Sequence, residues 1–310
     1  MKKILLLLLF PAIGISQESN LDWILAHMKG KSIESYTILN LYDNLPQNLS
    51  YTASDNVLIR TKKGSETYSY LNLLSKKSTL KSMATNVHEI CHGLTGMYFF
   101  NEMDSNYIAH DSNNITSYFF ISEDIIYVSI FRGDVFPSSV LKNLIPESLI
   151  TSRYETYILG DSSTQEEGII GLLDELNAYY HGTKFSFDML PIYKTVYPDN
   201  YLNEWVMGLQ STMTAYYEFD FWIKEYLLHA KINYPELFSE IIKKGSALDI
   251  FISIREKYKT LISKYSEYVK VESGKIKYYY DTEFWDSDYY KLIDRLKTDK
   301  YNSINNLLSF

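Results

Sequence analysis

The sequence predicts an α+β chain that is predominantly α, with a small N-terminal sheet and a helical C-terminal region. Three observations carry that prediction. Apolar residues recur at helical spacing over 78–94 and 163–181. Helical periodicity then dominates from 201 to the end of the sequence. The strand-like runs are short, lie in the first half, and are separated by turn residues. The 310 residues suffice for one large domain or two ordinary ones. With 46% hydrophobic and 22% charged residues the chain can bury a core, which excludes a disordered protein.

Taken in order, residues 1–16 read as a signal peptide. Lys2 and Lys3 precede the apolar run 4–10, Pro11 breaks it, and Gly14 and Ser16 fit a small-residue cleavage site before Gln17. The product is expected to be secreted or periplasmic. No other stretch reaches 18 apolar residues, so no membrane span is expected after cleavage. Residues 21–29 read as a short helix. Residues 35–42, 56–60 and 66–73 read as strands, with turns at Asn44, Pro46, Asn48 and Gly64. The helix at 78–94 has Gly93 and Gly96 as candidate caps. Residues 116–121 and 125–132 read as a hairpin around Glu123 and Asp124. Ser163 and Glu166 look like a capping box for the helix that Gly182 would end. Beyond Pro191 and Pro198, helices are expected at 201–230, 236–244, 246–270 and 287–308.

Charge and cysteine content narrow the function. With 30 basic and 38 acidic side chains the net charge is −8, which offers no footprint for nucleic acid. The single cysteine excludes an intramolecular disulfide.

The chemistry concentrates at His88-Glu89-Ile90-Cys91-His92, an H-E-x-x-H pattern. On a helix the two imidazoles stand one turn apart on one face, where they can share a zinc ion, with Glu89 beside them as a base. On a wheel of about 100° per residue, Leu80, Met83, Ala84, Val87, Ile90, Cys91 and Leu94 form an apolar stripe. His88 and His92 lie on its flank, where a cleft could open. Cys91 falls within the stripe and reads as a small buried hydrophobe.

The segment 85–94, Thr-Asn-Val-His-Glu-Ile-Cys-His-Gly-Leu, resembles the extended active-site signature of the zincin metallopeptidases. Thr95 and Tyr98 depart from the metzincin branch, which needs glycine and histidine there. The resemblance to the gluzincins implies a third ligand, a glutamate on a downstream helix, often with a small residue three positions on. Leu172 to Tyr180 resembles that helix, and Glu175 with Ala178 fits the pattern. Gly168, Gly171 and Ala178 gather on one helical face that would let a second helix approach closely. Glu175 lies within that face and Asp174 at its margin, so Glu175 is preferred over Asp174 as the ligand. The position that carries a histidine-orienting carboxylate in thermolysin-like members is Tyr179 here; Asp174 or Asn177 could serve instead.

The resemblance therefore implies a zincin-like catalytic region over 17–185, with a helical region over 186–310 forming the other side of the cleft. It implies one Zn2+ per chain held by His88, His92 and Glu175. It implies hydrolysis of a peptide or protein substrate through a zinc-activated water, with Glu89 as general base. Tyr179 is the first candidate for oxyanion donor, ahead of His181, His110 and His229. The hairpin at 116–132 could pair with an extended peptide. Trp205, Phe219, Phe221 and Trp222 would stand in the far wall. The alternative is an inactive secreted metal- or peptide-binding protein of the same fold, which would not need Glu89.

Overall fold

The computed structural model describes residues 19–52, 58–63, 69–106, 113–122, 124–160, 163–272 and 287–309. The segment read as a signal peptide lies outside them. Mostly helical, the described chain carries two separate two-stranded antiparallel hairpins.

Helices α1 (Asn20–Lys31) and α2 (Ile33–Asn44) come first. Ser19 caps α1 by accepting a hydrogen bond from the Asp22 N–H. The expected strand at 35–42 is corrected: it is α2. Ser35, Ile38, Leu39 and Tyr42 are its buried residues, a three-and-four spacing that belongs to a helix face. The aromatic and β-branched residues that suggested a strand are its packing surface.

Strands β1 (Asn48–Thr52) and β2 (Leu58–Lys62) pair antiparallel, so Asn48 opens a strand rather than ending a turn. Lys63 then turns back to the C-terminus of α2. Its ammonium donates to the carbonyls of Tyr42, Asp43 and Leu45 at 3.1, 2.9 and 3.0 Å, satisfying groups the helix end leaves open. Of the expected strand at 66–73, residues 66–68 lie outside the described residues and Ser69–Leu73 is a 3-10 turn. Leu71 is fully buried there, and its carbonyl accepts from the Thr79 hydroxyl.

Helix α3 (Lys76–Asn106) carries the H-E-x-x-H motif and runs well past Gly93 and Gly96. Gly93 is not a cap. A Cβ there would lie 2.7 Å from Tyr42 Cε2, so glycine is needed where α2 crosses. Strands β3 (Asn114–Ile121) and β4 (Asp124–Phe131) form the expected hairpin, with Ile121 opposite Asp124. Helix α4 (Ser163–Glu166) is a single turn, and Gly168 at φ +54° separates it from α5 (Ile169–Asp188). The capping box thus does not start the long helix, nor does Gly182 end it. A Cβ at Gly182 would lie 2.9 Å from the Ala84 carbonyl oxygen and 3.4 Å from His88 Cβ, so this glycine too serves a helix crossing.

Helix α6 (Leu190–Val196) spans Pro191, which sits in its first turn where no N–H is missed. Helices α7 (Tyr201–Asn233), α8 (Pro235–Ile241) and α9 (Ala247–Glu272) follow as expected. The last expected helix is broken into α10 (Ser287–Leu296), a 3-10 turn at Asp299–Tyr301, and α11 (Asn302–Leu307). The break lets Lys300 and Tyr301 reach the buried Glu225 carboxylate on α7, at 2.5–2.7 Å.

Helix α5 is the central element. It is buried along most of its length, between α3 and α7, with α9 alongside. Trp205, Phe219, Phe221 and Trp222 are all buried in the core. Among the described residues no helix is long and apolar enough to cross a membrane.

Candidate metal centre

The site forms where α3 and α5 cross. His88 and His92 stand one turn apart on α3, and the close approach at Gly182 and Ala178 brings Glu175 opposite them. Residues 175, 178 and 182 share one helical face, so small side chains over the last turns let the carboxylate reach the imidazoles.

The distances would suit a shared cation. His88 Nε2 and His92 Nε2 are 3.1 Å apart. Glu175 Oε2 is 3.3 Å from His92 Nε2 and 3.8 Å from His88 Nε2. Bonds of about 2.0–2.1 Å to a tetrahedral zinc put donor atoms about 3.3 Å apart, which the three edges bracket. Glu175 Oε2 is buried, and among the described residues it has no hydrogen-bond partner. A buried carboxylate oxygen without a donor is costly, and a cation among these three atoms removes that cost. The residues therefore fit a metal ion with two nitrogen donors and one oxygen donor. Asp174 is not part of this triangle.

Asp174 instead orients a candidate ligand. Its Oδ2 lies 2.6 Å from His92 Nδ1, which fixes the ring with Nε2 3.3 Å from Glu175 Oε2. Without a cation, the two imidazoles differ sharply. Burial, then the charges of His92 and Arg153, lower the His88 pKa to about 3. Burial opposes protonation of His92 as well, but Asp174, by charge and hydrogen bond, and Glu175 raise its pKa to about 11. Nearby, burial and the Asp174 charge raise the Glu167 pKa, so the pocket concentrates acidic groups that favour a cation.

The other expected residues divide. Glu89 is exposed on α3 beside His88. The Tyr179 ring meets the His88 ring edge-on at 4.6 Å, and its hydroxyl lies 3.0 Å from that of Tyr157. Asn177 and His181 do not orient ligands; both donate to the Phe120 carbonyl of β3, at 3.4 and 2.9 Å. His229 pairs with Asn233 and packs on Phe136. His110 lies outside the described residues. Cys91 is buried beneath the site, and burial with the Asp174 and Glu175 charges raises its pKa, which keeps it an inert thiol.

Two neighbours were not anticipated. Tyr157 comes from a single π-helical turn, Glu155–Leu159, and Arg153 immediately precedes it. The Arg153 guanidinium lies 4.8 Å from the Tyr179 ring centroid and 2.6 Å from Glu218. No local pattern in the sequence marks either residue, because their placement depends on α7.

Compared with known protein families, curated proteins and solved structures, the chain gives no significant match.

Proposed function

We propose that this chain is an exported zinc-dependent metallopeptidase in which His88, His92 and Glu175 hold one Zn2+. The observation that carries the reading is the donor triangle with edges of 3.1, 3.3 and 3.8 Å, one corner of which is a buried carboxylate oxygen with no hydrogen-bond partner among the described residues. Two imidazoles and a carboxylate are a zinc donor set that leaves a fourth position open for chemistry. Export rests on the signal-peptide pattern of residues 1–16.

At such a centre zinc supplies Lewis-acid polarisation of water and of the scissile carbonyl. Glu89 takes a proton from the attacking water and returns it to the leaving amine. Asp174 holds the His92 ring in the ligating tautomer through Nδ1. Tyr179, packed on His88, is the candidate donor to the developing oxyanion; it would exchange its contact with Tyr157 for the substrate oxygen. The substrate class, a peptide or protein, follows from the resemblance of residues 85–94 to the zincin signature and from the base beside the ligands.

The test is metal analysis of purified protein followed by two substitutions. The expected result is about one zinc per chain, lost in His88→Ala. Glu89→Gln is expected to keep the metal and lose peptide hydrolysis. Hydrolysis by Glu89→Gln at the wild-type rate would remove the base, and a metal-free wild type would remove the centre.

A further inference from the structure

Away from the candidate centre, a cavity of about 980 Å3 opens between α7, α9, α10 and α11. That volume is at the upper end of the roughly 300–1,000 Å3 range of small-molecule sites. Its floor carries buried charge. Asp220 and Lys224, one turn apart on α7, are 3% and 2% exposed. The Lys224 ammonium donates to Asp220 Oδ2 at 2.8 Å, and Arg255 Nε on α9 donates to Asp220 Oδ1 at 2.7 Å. Both carboxylate oxygens are engaged, so two cations share one buried anion. Arg255 Nη1 also meets Glu256 at 3.1 Å, but the Glu256 side chain is 52% exposed and stays in water.

Among the described residues, Asp220 is the one carboxylate within ion-pair distance of Lys224. An ammonium has three hydrogens to give, and that single hydrogen bond uses one of them. Burial lowers the Lys224 pKa; Asp220 opposes the shift, and the charges of Arg255 and Lys259 add to it. The floor thus holds an excess of positive charge, which is costly away from water unless an anion meets it. Lys259 and Lys297 add to the lining, so four cations and two carboxylates face a cavity in a chain whose net charge is −8.

The other wall is apolar. Ile293 and Leu296 stand three apart on α10, so they share one helical face, and both are half-buried. Leu308, just past α11, and Ile252 on α9 extend that surface. A ligand with an anionic head and a hydrocarbon body matches both halves. The single excess charge on the floor suits a monoanion, whereas a phosphate monoester would bring about −1.5 to −2.

We propose that this cavity binds an apolar carboxylic acid, its carboxylate on Lys224 and Arg255 and its hydrocarbon chain against Ile293, Leu296 and Leu308. The carboxylate accepts the ammonium hydrogens that Asp220 leaves over, and the chain displaces water from the apolar wall. The cavity shares no lining residue with His88, His92 and Glu175, so the proposal does not depend on the metal reading.

The experiment is isothermal titration calorimetry of the purified protein with octanoate. Acetate and 1-octanol each lack one half of the ligand and are expected to bind about tenfold or more weakly than octanoate. Lys224→Met removes a charged donor and is expected to weaken octanoate by roughly ten- to a hundredfold while leaving octanol unchanged. Ile293→Ala strips the half-buried wall and should weaken octanoate by roughly fivefold or more. Circular dichroism checks that both variants are folded. If Lys224→Met does not fold, Ile293→Ala and the probe series carry the decision. Absence of octanoate binding by the wild type would overturn the proposal. So would octanol binding as tightly as octanoate, octyl phosphate binding more tightly, or wild-type octanoate affinity in the folded variants.

Discussion

Replacing Gly182 by alanine should loosen the candidate centre from two helical turns away. A methyl group there would sit 2.9 Å from the Ala84 carbonyl oxygen on α3 and 3.4 Å from His88 Cβ. Backbone cannot yield as a side-chain tip can, so α3 and α5 must separate by about half an ångström to restore ordinary contact. Two effects oppose each other. Glycine to alanine inside a helix stabilises by about 0.8–1 kcal/mol. Overpacking at a tight contact costs about 1–3 kcal/mol. The net expectation is a loss of about 0–2 kcal/mol in denaturant unfolding of the metal-free protein. The larger effect is expected on metal. Glu175 shares its helix face with Gly182, so the separation lengthens the contacts of 3.3 and 3.8 Å from Oε2 to the two histidines. Zinc affinity, read by chelator competition, should fall by about tenfold or more, since orienting losses at a metal site are of that order. A Gly182→Ala protein about 1 kcal/mol more stable than wild type, with unchanged zinc affinity, would refute the claim that this glycine sets the helix spacing.

Three further outcomes can be checked. Asp174→Asn should weaken zinc by roughly ten- to a hundredfold while the protein stays folded, because His92 loses its orienting carboxylate; chelator competition measures it. Zinc should be released as the solution is acidified. Asp174 and Glu175 raise the His92 pKa to about 11 in the cation-free protein, whereas His88 sits near 3, so one proton competes with the metal across the intervening range. Affinity is therefore expected to fall about tenfold per pH unit on lowering the pH; a flat profile in equilibrium dialysis would contradict this. Lys300→Met should destabilise the fold by about 1–3 kcal/mol in urea titrations. Among the described residues it leaves Glu225 buried with Tyr301 alone, and the partial exposure of Lys300 keeps the loss below that of a fully buried pair.

The parts of this molecule written into local spacing could be read from the sequence, and those set by distant packing could not. The paired histidines were legible because four residues make one helical turn. Glu175 was legible because Ala178 beside it offers a small face for a neighbouring helix. The glycines were misread for a physical reason. A glycine that ends a helix and one that admits a crossing helix look alike in sequence, and Gly93 and Gly182 prove to be of the second kind, against Tyr42 and Ala84. Helix α2 was mistaken for a strand because Tyr, Thr and Ile suit either structure, and only the buried spacing of Ser35, Ile38, Leu39 and Tyr42 separates them. Tyr157 and Arg153 were invisible. A π-helical turn has no sequence signature, and Arg153 takes its place from Glu218, 65 positions further along the chain.

The grip of Lys63 on the end of α2 has a practical consequence for chemical labelling. All three of its ammonium protons are engaged by carbonyl oxygens, and the side chain is 6% exposed. An amine in that condition cannot reach an acylating reagent while the first hairpin stays docked. Together with Lys224, at 2% exposure, it should be among the slowest lysines to acquire mass in a footprinting time course. Early acylation of Lys63 would therefore report peeling of the hairpin from α2 while the remainder of the protein is still closed.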